Sequence, residues 1–172
     1  MLTHVAFRSE MFPPDDDEAE LLNPGIHGRR LANFLARGLR AQGFVCGLPQ
    51  PEEWGWRIPI RNDTFALWIG CGNDPDETEG YRCFIEPHMP VIRKLFARID
   101  ARPRVDALQK ALDTILSVRP LIGDKRWRTH PDFDALPVEP ETVAPPKPSA
   151  PRKGRKSARP AIPGTESDGG QL

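Results

Sequence analysis

The chain has 172 residues, which is enough for one domain of ordinary size. Its formal net charge is zero, and this balance excludes a general electrostatic attraction to nucleic acid. No segment approaches the roughly 18 continuous apolar residues of a membrane span, and the first residues lack the basic and apolar regions of a signal peptide. We therefore expect a cytoplasmic protein with no membrane association.

A strand and an acidic loop are the first predicted features. Residues 3–9 alternate between side chains of different polarity, which favours a half-buried strand. The acidic run that follows is typical of a solvated loop, and it is also a candidate surface for a protein partner. This run consists of Asp15, Asp16, Asp17 and Glu18.

A helix is predicted between Asn23 and Gly43. Asn23 suits the N-cap, Pro24 suits the first helical position, and Gly43 tolerates the left-handed conformation that ends a helix. The apolar residues of one face are Leu31, Phe34, Leu35 and Leu39. The arginines of the opposite face are Arg29, Arg37 and Arg40. This basic face is either a solvent-exposed surface or a groove for a polyanion or an acidic partner.

A three-stranded antiparallel meander is predicted at residues 54–60, 64–71 and 81–86, after a short edge strand at 44–48. Alternation assigns one set of side chains to a shared apolar layer: Trp54, Trp56, Ile58, Ile60, Phe65, Leu67, Ile69, Cys71, Tyr81, Cys83 and Ile85. Trp68, Phe84 and Glu86 are expected on the other face. Because exposed Trp is a favoured anchor at protein interfaces, Trp68 is a candidate for partner binding.

The loop at residues 72–80 carries a second group of acidic side chains. Its members are Asp74, Asp76, Glu77 and Glu79. The loop resembles a calcium-binding loop only in composition, because the required order of ligands and the closing bidentate Glu are missing. We take it, together with Trp68, as a second candidate surface for a protein partner.

Two short helices are predicted for residues 91–99 and 105–116, with a break at Arg102-Pro103 and a last ordered segment around Trp127. The chain therefore runs through a strand, a helix, a short strand, a meander and further helices. This order indicates an α+β two-layer sandwich, in which a mostly antiparallel sheet carries its helices on one face. The domain is expected to span residues 1–134.

Residues 135–172 are predicted to form a disordered tail. They contain eight prolines and no aromatic residue, so they cannot bury enough apolar surface to offset the entropy of ordering. The basic cluster of the tail includes Arg152, Lys153, Arg155 and Lys156. It is a candidate for weak, salt-sensitive attachment to nucleic acid, and a solubilising extension explains it equally well.

The sharpest enzyme hypothesis joins Cys71, His88 and Glu86. A nucleophilic thiol needs a base within hydrogen-bond reach and a group that orients this base. Adjacent antiparallel strands bring Cys71 and His88 toward neighbouring ends of the sheet. The alternative is that Cys71 is a core thiol, because it continues the apolar face of its own strand.

Metal and cofactor chemistry has no recognisable motif in the sequence. The four histidines and three cysteines show no CxxC, HxH or HExxH spacing. We therefore expect no metal and no cofactor. The odd number of cysteines favours free thiols in a reducing compartment.

Three stretches resemble a group of small uncharacterised bacterial proteins: the run from Asn23 to Leu35, Glu53-Trp54-Gly55-Trp56, and Leu67-Trp68-Ile69-Gly70-Cys71-Gly72. The resemblance covers roughly residues 3–128 and implies no activity. In size and α+β organisation the domain is also similar to bacterial toxin-immunity proteins. These observations favour a non-enzymatic protein-interaction module of the immunity-protein kind. A small Cys/His-dependent enzyme and a nucleic-acid-associated protein are the alternatives.

Overall fold

The computed structural model describes residues 1–130, so the predicted tail lies outside the described residues. Within this range the chain forms a six-stranded sheet, a two-stranded hairpin and two α-helices. In chain order the elements are β1 (His4–Ser9), α1 (Arg29–Ala41), β2 (Gln50–Glu52), β3 (Gly55–Ile60), β4 (Leu67–Asn73), β5 (Gly80–Glu86), β6 (Val91–Lys94), β7 (Ala97–Asp100), α2 (Arg102–Ser117) and β8 (Ile122–Arg128). The predicted α+β class is confirmed.

The large sheet is antiparallel throughout, with the strand order β2-β3-β4-β5-β1-β8. Strands β3, β4 and β5 form the predicted meander, and β1 enters between β5 and β8. The register places Ile58 opposite Ile69, and Ile69 opposite Ile85. Because neighbouring strands keep the same alternation, these side chains line one face of the sheet.

The core lies between this face and the two helices. The buried strand residues are Val5, Phe7, Trp56, Ile58, Ile60, Leu67, Ile69, Cys71, Tyr81, Cys83 and Ile85. They pack against the buried helix residues Leu31, Ala32, Leu35, Ala36, Leu39, Val105, Leu108, Ala111, Leu112, Ile115 and Leu116. Gly38 lets the helices approach closely, since a Cβ there would come within 2.8 Å of the Ile115 side chain. The predicted two-layer arrangement is confirmed.

The first helix begins later than predicted. Residues 23–28 form turns, in which the Ile26 amide donates to the Asn23 carbonyl at 3.0 Å and Gly25 has a φ of +80°. Helix α1 begins at Arg29, and Gly28 takes the N-cap position without a side-chain cap. The predicted end is confirmed, because α1 ends at Ala41 and Gly43 has a φ of +85°.

A buried carboxylate from the acidic segment replaces the missing cap. Glu18 Oε1 accepts hydrogen bonds from the amides of Gly28 at 2.8 Å and Arg29 at 2.7 Å, and from the Trp56 indole N–H at 2.7 Å. Its Oε2 accepts from the Asp15 amide at 2.8 Å. A negative charge at the start of α1 is also favoured by the helix dipole. Glu18 therefore joins the acidic segment, α1 and β3 in one buried contact.

Trp54 does not lie in the core as predicted. The backbone turns at Gly55, whose φ is +144° and where a Cβ would come within 2.6 Å of the Cys71 carbonyl oxygen. Strand β3 begins at this residue, so the alternation that buries Trp56 does not extend back to Trp54. The Trp54 side chain packs instead against Trp68, on the face away from the helices.

Two other elements differ from the prediction. The edge strand expected at residues 44–48 is reduced to an isolated bridge between Cys46 and Ile60, and the edge of the sheet is β2. The helix expected at residues 91–99 is the hairpin of β6 and β7. Arg102-Pro103 opens α2 rather than breaking a helix, because the first turn needs no amide donor from Pro103.

Candidate functional site

Three aromatic side chains cluster on the sheet face opposite the helices. Trp54 comes from the turn before β3, Trp68 from β4 and Phe84 from β5. Their ring centroids are 5.1 Å apart for Trp54 and Phe84, 5.5 Å for Trp68 and Phe84, and 6.0 Å for the two indoles. Trp54 remains 40% exposed, and the other two rings are half-buried. We call these three residues the aromatic cluster.

Two glycines in β4 leave the sheet surface next to the aromatic cluster without side chains. The Phe84 ring lies directly over Gly70, where a Cβ would come within 2.3 Å of the ring. Gly72 lies next to the backbone of Trp54 and adds no side chain of its own. The result is an open cavity of about 590 Å³, lined by the aromatic cluster together with Ile26, Pro75 and Arg82.

Arg57 and Arg82 lie beside the aromatic cluster, and Arg8 lies near Arg82. The Arg57 guanidinium lies over the Trp68 ring, 5.2 Å from its centroid, and its Nε is buried without a hydrogen-bond partner in the described part of the chain. Arg82 Nε donates to Asp74 Oδ2 at 2.6 Å. Arg8 donates to the Thr78 carbonyl at 3.0 Å. The sheet face opposite the helices, which we call the open face, therefore combines aromatic rings with cations. Some of these cations are already paired.

The register aligns several of these residues in one row across the sheet. From β3 to β8, this row contains Arg57, Gly70, Phe84, His4 and Arg128. A parallel row contains Gly72, Arg82, Ala6 and Arg126. Basic and aromatic side chains thus alternate across strands rather than along any single strand.

Histidines extend the open face beyond Phe84. The His4 ring stacks on Phe84 at 5.8 Å, His130 lies 5.2 Å from His4, and His88 stacks on His130 at 3.8 Å between centroids. His88 Nδ1 lies 2.8 Å from Glu86 Oε1, and the His88 amide donates to Glu86 Oε2 at 3.1 Å. Within residues 1–130, no three His, Cys, Asp or Glu side chains are arranged to hold a metal ion.

The structure brings together only two members of the predicted catalytic group. Glu86 and His88 are in contact at the end of β5, on the open face. Cys71 is buried on the helix side, opposite Trp56 in β3 and Cys83 in β5. The side chains of Cys71 and Glu86 lie on opposite faces of the sheet, so this geometry does not support a Cys71 nucleophile activated by His88.

Of the four acidic residues in the loop at residues 72–80, one is buried and three are exposed. Asp74 is buried, pairs with Arg82 and accepts a hydrogen bond from the Asp76 amide at 3.2 Å. The side chains of Asp76, Glu77 and Glu79 are exposed. Asp74 therefore shapes the loop, and the other three remain accessible at the edge of the open face.

The other predicted surfaces partly neutralise each other. Asp17 pairs with Arg29, whose guanidinium lowers the pKa of this carboxyl group, and Asp15 pairs with Arg30 at 2.6 Å. Arg40 donates to the backbone carbonyls of Cys46 and Gly47. Asp16 and Arg37 are exposed. Several charges of the acidic segment and of the basic face of α1 are thus already paired within the domain, while Arg152, Lys153, Arg155 and Lys156 lie outside the described residues.

The structure agrees with the predicted outward orientation of Trp68, Phe84 and Glu86, but the sequence does not predict the site that they help to build. Trp54 is expected in the core, and Arg57 is not among the expected site residues. The signal was the period-two alternation, which places Arg57 on the same face as Trp68 once the strand register is known. Comparisons with protein-family models, curated proteins and solved structures find no match to this chain.

Proposed function

We propose that this chain is a binding module that docks a protein partner through the open face of its sheet. The observation that carries the proposal is the aromatic cluster, whose most exposed ring, Trp54, is 40% exposed beside an open cavity. Trp, Tyr and Arg supply most of the strong anchors at protein interfaces, where they are desolvated on binding. Arg57 above Trp68 adds a cation that a partner can desolvate in the same way.

The surroundings of the aromatic cluster favour a protein over a single-stranded nucleic acid. Acidic side chains stand among the arginines: Glu53 lines the cavity, Glu77 lies near Arg8 and Arg82, and Glu86 is opposite Trp68. Single-stranded nucleic acids bind in continuously positive grooves with separate stacking platforms. A compact aromatic centre with a rim of mixed charge is the usual composition of a protein interface.

The similarity to toxin-immunity proteins in size and α+β organisation suggests one form of this proposal, in which the partner is a toxin that the chain neutralises by binding it through the open face. The enzyme alternative lacks its geometry, because Cys71 and the Glu86–His88 pair lie on opposite faces. The nucleic-acid alternative uses the basic cluster of the tail and the face of Arg29, Arg37 and Arg40. Arg29 is engaged with Asp17 and Arg40 with backbone carbonyls, Arg37 is exposed, and the tail lies outside the described residues.

Purification of the full chain with its partner, followed by calorimetry of the purified pair, tests the proposal. Trp68→Ala removes a central ring, so we expect affinity to fall by about 30-fold, the effect of an interface hot spot. The matched control is Leu121→Ala, which removes an exposed apolar side chain between α2 and β8. The control variant should bind as the wild type does, and both variants should keep the wild-type circular dichroism spectrum.

Two results would overturn the proposal. One is failure to recover a stoichiometric partner at moderate salt, and the other is a partner whose affinity is unchanged by Trp68→Ala. Fluorescence anisotropy with labelled single-stranded oligonucleotides tests whether the open face binds nucleic acid instead of a protein. If oligonucleotides bind tightly and Trp68→Ala abolishes this binding, the open face recognises nucleic acid and the protein proposal fails.

A further inference from the structure

The hairpin of β6 and β7 presents two large apolar side chains to solvent at its tip. Leu95 is 88% exposed and Phe96 is 94% exposed. They form the whole two-residue turn, because Lys94 pairs with Ala97. Two-residue hairpin turns normally contain Gly, Asn or Asp, which adopt the required backbone conformations easily. Turn geometry therefore gives no reason for Leu and Phe at these positions.

Cations stand directly behind the tip. Arg93 and Arg98 are opposite one another in the register, an arrangement of like charges that destabilises a strand pair. Neither these arginines nor Lys94 forms a salt bridge within residues 1–130. Between Val91 and Asp100 the chain has three cations and one acidic residue, Asp100, which pairs with Arg102 at the start of α2. The hairpin therefore carries a net positive charge, and its three cations lie close to the tip.

The base of the hairpin is fixed to the domain. Ile92 and Ile99 are opposite one another and pack against the hydrophobic core. The Ala101 amide donates to the Pro90 carbonyl at 2.9 Å and closes the hairpin at its base. The apolar tip is consequently held away from the core and cannot bury itself by a local change of side-chain rotamer.

We propose that this tip docks on an anionic lipid surface. Leu95 and Phe96 enter the boundary between headgroups and acyl chains, while Arg93 and Arg98 remain two residues behind, at the level of the lipid phosphates. No helix of the described residues is long and apolar enough to cross a membrane. The expectation of no membrane association rested on the lack of a membrane span, and the proposed peripheral contact needs no such span.

The size and charge of the tip favour lipid over a protein partner. A stable protein interface buries about 800 Å² on each partner, far more than two side chains at a turn supply. A bilayer accepts a small apolar wedge, and each cation near its anionic surface strengthens binding separately. The expected binding is weak and reversible, with half-saturation on the order of 0.1–1 mM lipid, as for a single acyl anchor.

Sedimentation of the full chain with lipid vesicles tests this inference. We expect binding to vesicles of phosphatidylcholine containing about 30% phosphatidylglycerol, and no binding to vesicles of phosphatidylcholine alone. The double variant Leu95→Ser/Phe96→Ser should lose binding. The double variant Arg93→Gln/Arg98→Gln should weaken it by about 25-fold, because each charge contributes about fivefold.

Matched controls separate the tip from other apolar and basic surfaces. Leu48→Ser changes an exposed apolar residue elsewhere and should bind as the wild type does. The variant with Arg152, Lys153, Arg155 and Lys156 all changed to Gln tests the basic cluster outside the described residues. This variant should still bind anionic vesicles, and adding Leu95→Ser/Phe96→Ser to it should abolish that binding.

Three results would overturn the inference. The first is equal binding to neutral and anionic vesicles, and the second is binding that persists in the Leu95→Ser/Phe96→Ser variant. The third is complete displacement from vesicles by polyglutamate with no effect of the tip variants, which would identify a simple preference for acidic polymers. Circular dichroism confirms that each variant is folded before its binding is compared.

Discussion

The two faces of the sheet are built from the same strands but have different roles. One face, which we call the covered face, lies beneath the helices. In β4, the side chains of Leu67, Ile69 and Cys71 are buried on this covered face. The alternate positions place Trp68 and Gly70 on the open face, where an aromatic ring and a bare backbone support the aromatic cluster. Packing accounts for every large side chain on the covered face. It does not account for the exposed indole of Trp54 or for the buried Nε of Arg57, which has no hydrogen-bond partner in the described part of the chain, so function is best sought on the open face.

The largest expected effect is a loss of stability on replacing Glu18, whose buried carboxylate joins the acidic segment, α1 and β3. Glu18→Ala removes the carboxylate that accepts from four N–H groups, including those of Gly28, Arg29 and Trp56. Each buried donor left without a partner costs about 1–3 kcal/mol. We therefore expect the free energy of unfolding to fall by at least about 3 kcal/mol, measured by urea denaturation.

Glu20→Ala is the matched control for this prediction, because Glu20 lies in the same short 3₁₀ turn but is exposed. Its stability should change by less than about 0.5 kcal/mol. If the two variants are equally stable, the hydrogen bonds of Glu18 do not support the covered face. The start of α1 would then need another explanation.

The sequence was sufficient to predict the covered face in most positions. Its side chains follow a period of two along each strand, and this period is visible without knowledge of the partners. Ile58, Ile69 and Ile85 were all assigned to the apolar layer, and the register confirms that they are neighbours. The apolar spacing from Val105 to Leu116 predicted α2 for the same reason.

Features that depend on residues distant in the chain cannot be predicted from local sequence patterns. The cap of α1 comes from Glu18, ten residues before Gly28, while Asn23 offered a plausible local cap. The backbone at Gly55 moves Trp54 to the open face, and nothing in the alternation reveals this turn. The apolar residues between 91 and 99 fit helical spacing, but the β-branched residues among them pair across a hairpin.

The open face itself could not be assembled from local patterns. Trp68 has no basic neighbour in its own strand, so the pattern along that strand does not indicate a mixed aromatic and basic surface. The cations come from adjacent strands, since the register places Arg57 beside Gly70 and Arg128 beside His4. Such cross-strand neighbours follow from strand order, which the sequence does not specify.

A smaller effect is expected at Tyr81, which lies on the covered face. Its hydroxyl donates to the Phe12 carbonyl at 2.6 Å, and burial, followed by the nearby Glu18 and Glu79 carboxylates, raises the pKa of Tyr81 to about 12. Tyr81 is the only tyrosine in the chain, so the absorbance of the phenolate reports on this residue alone. We expect a midpoint near pH 12 in the folded protein, compared with about 10 after unfolding.

The sign of the stability change follows from this raised pKa. Below pH of about 10, Tyr81 is neutral in both states and its contribution is fully present. Between this value and the folded pKa, only the unfolded state releases the proton, so stability falls as pH rises. Tyr81→Phe should abolish the absorbance change, and a wild-type midpoint near 10 would show that the hydroxyl is solvated.

The smallest expected effect is a difference in thiol reactivity, because it leaves the fold intact. Cys46 is partly exposed beside an isolated bridge, while Cys71 and Cys83 are buried on the covered face. Burial raises the pKa of both Cys46 and Cys83, so even Cys46 should react with iodoacetamide more slowly than a free thiol. Cys71 and Cys83 should react only as fast as the sheet opens.

Mass spectrometry of peptides after timed labelling would measure the three rates separately. Cys46→Ser should remove the first-labelled site, and Cys71→Ser, the matched control, should leave the labelling of Cys46 unchanged. Labelling of Cys71 before Cys46 would mean that the Cys71 thiol reaches solvent in the folded protein instead of being buried beneath the helices. The two faces would then no longer be separate, and the nucleophile hypothesis would regain the geometry that burial of Cys71 now denies it.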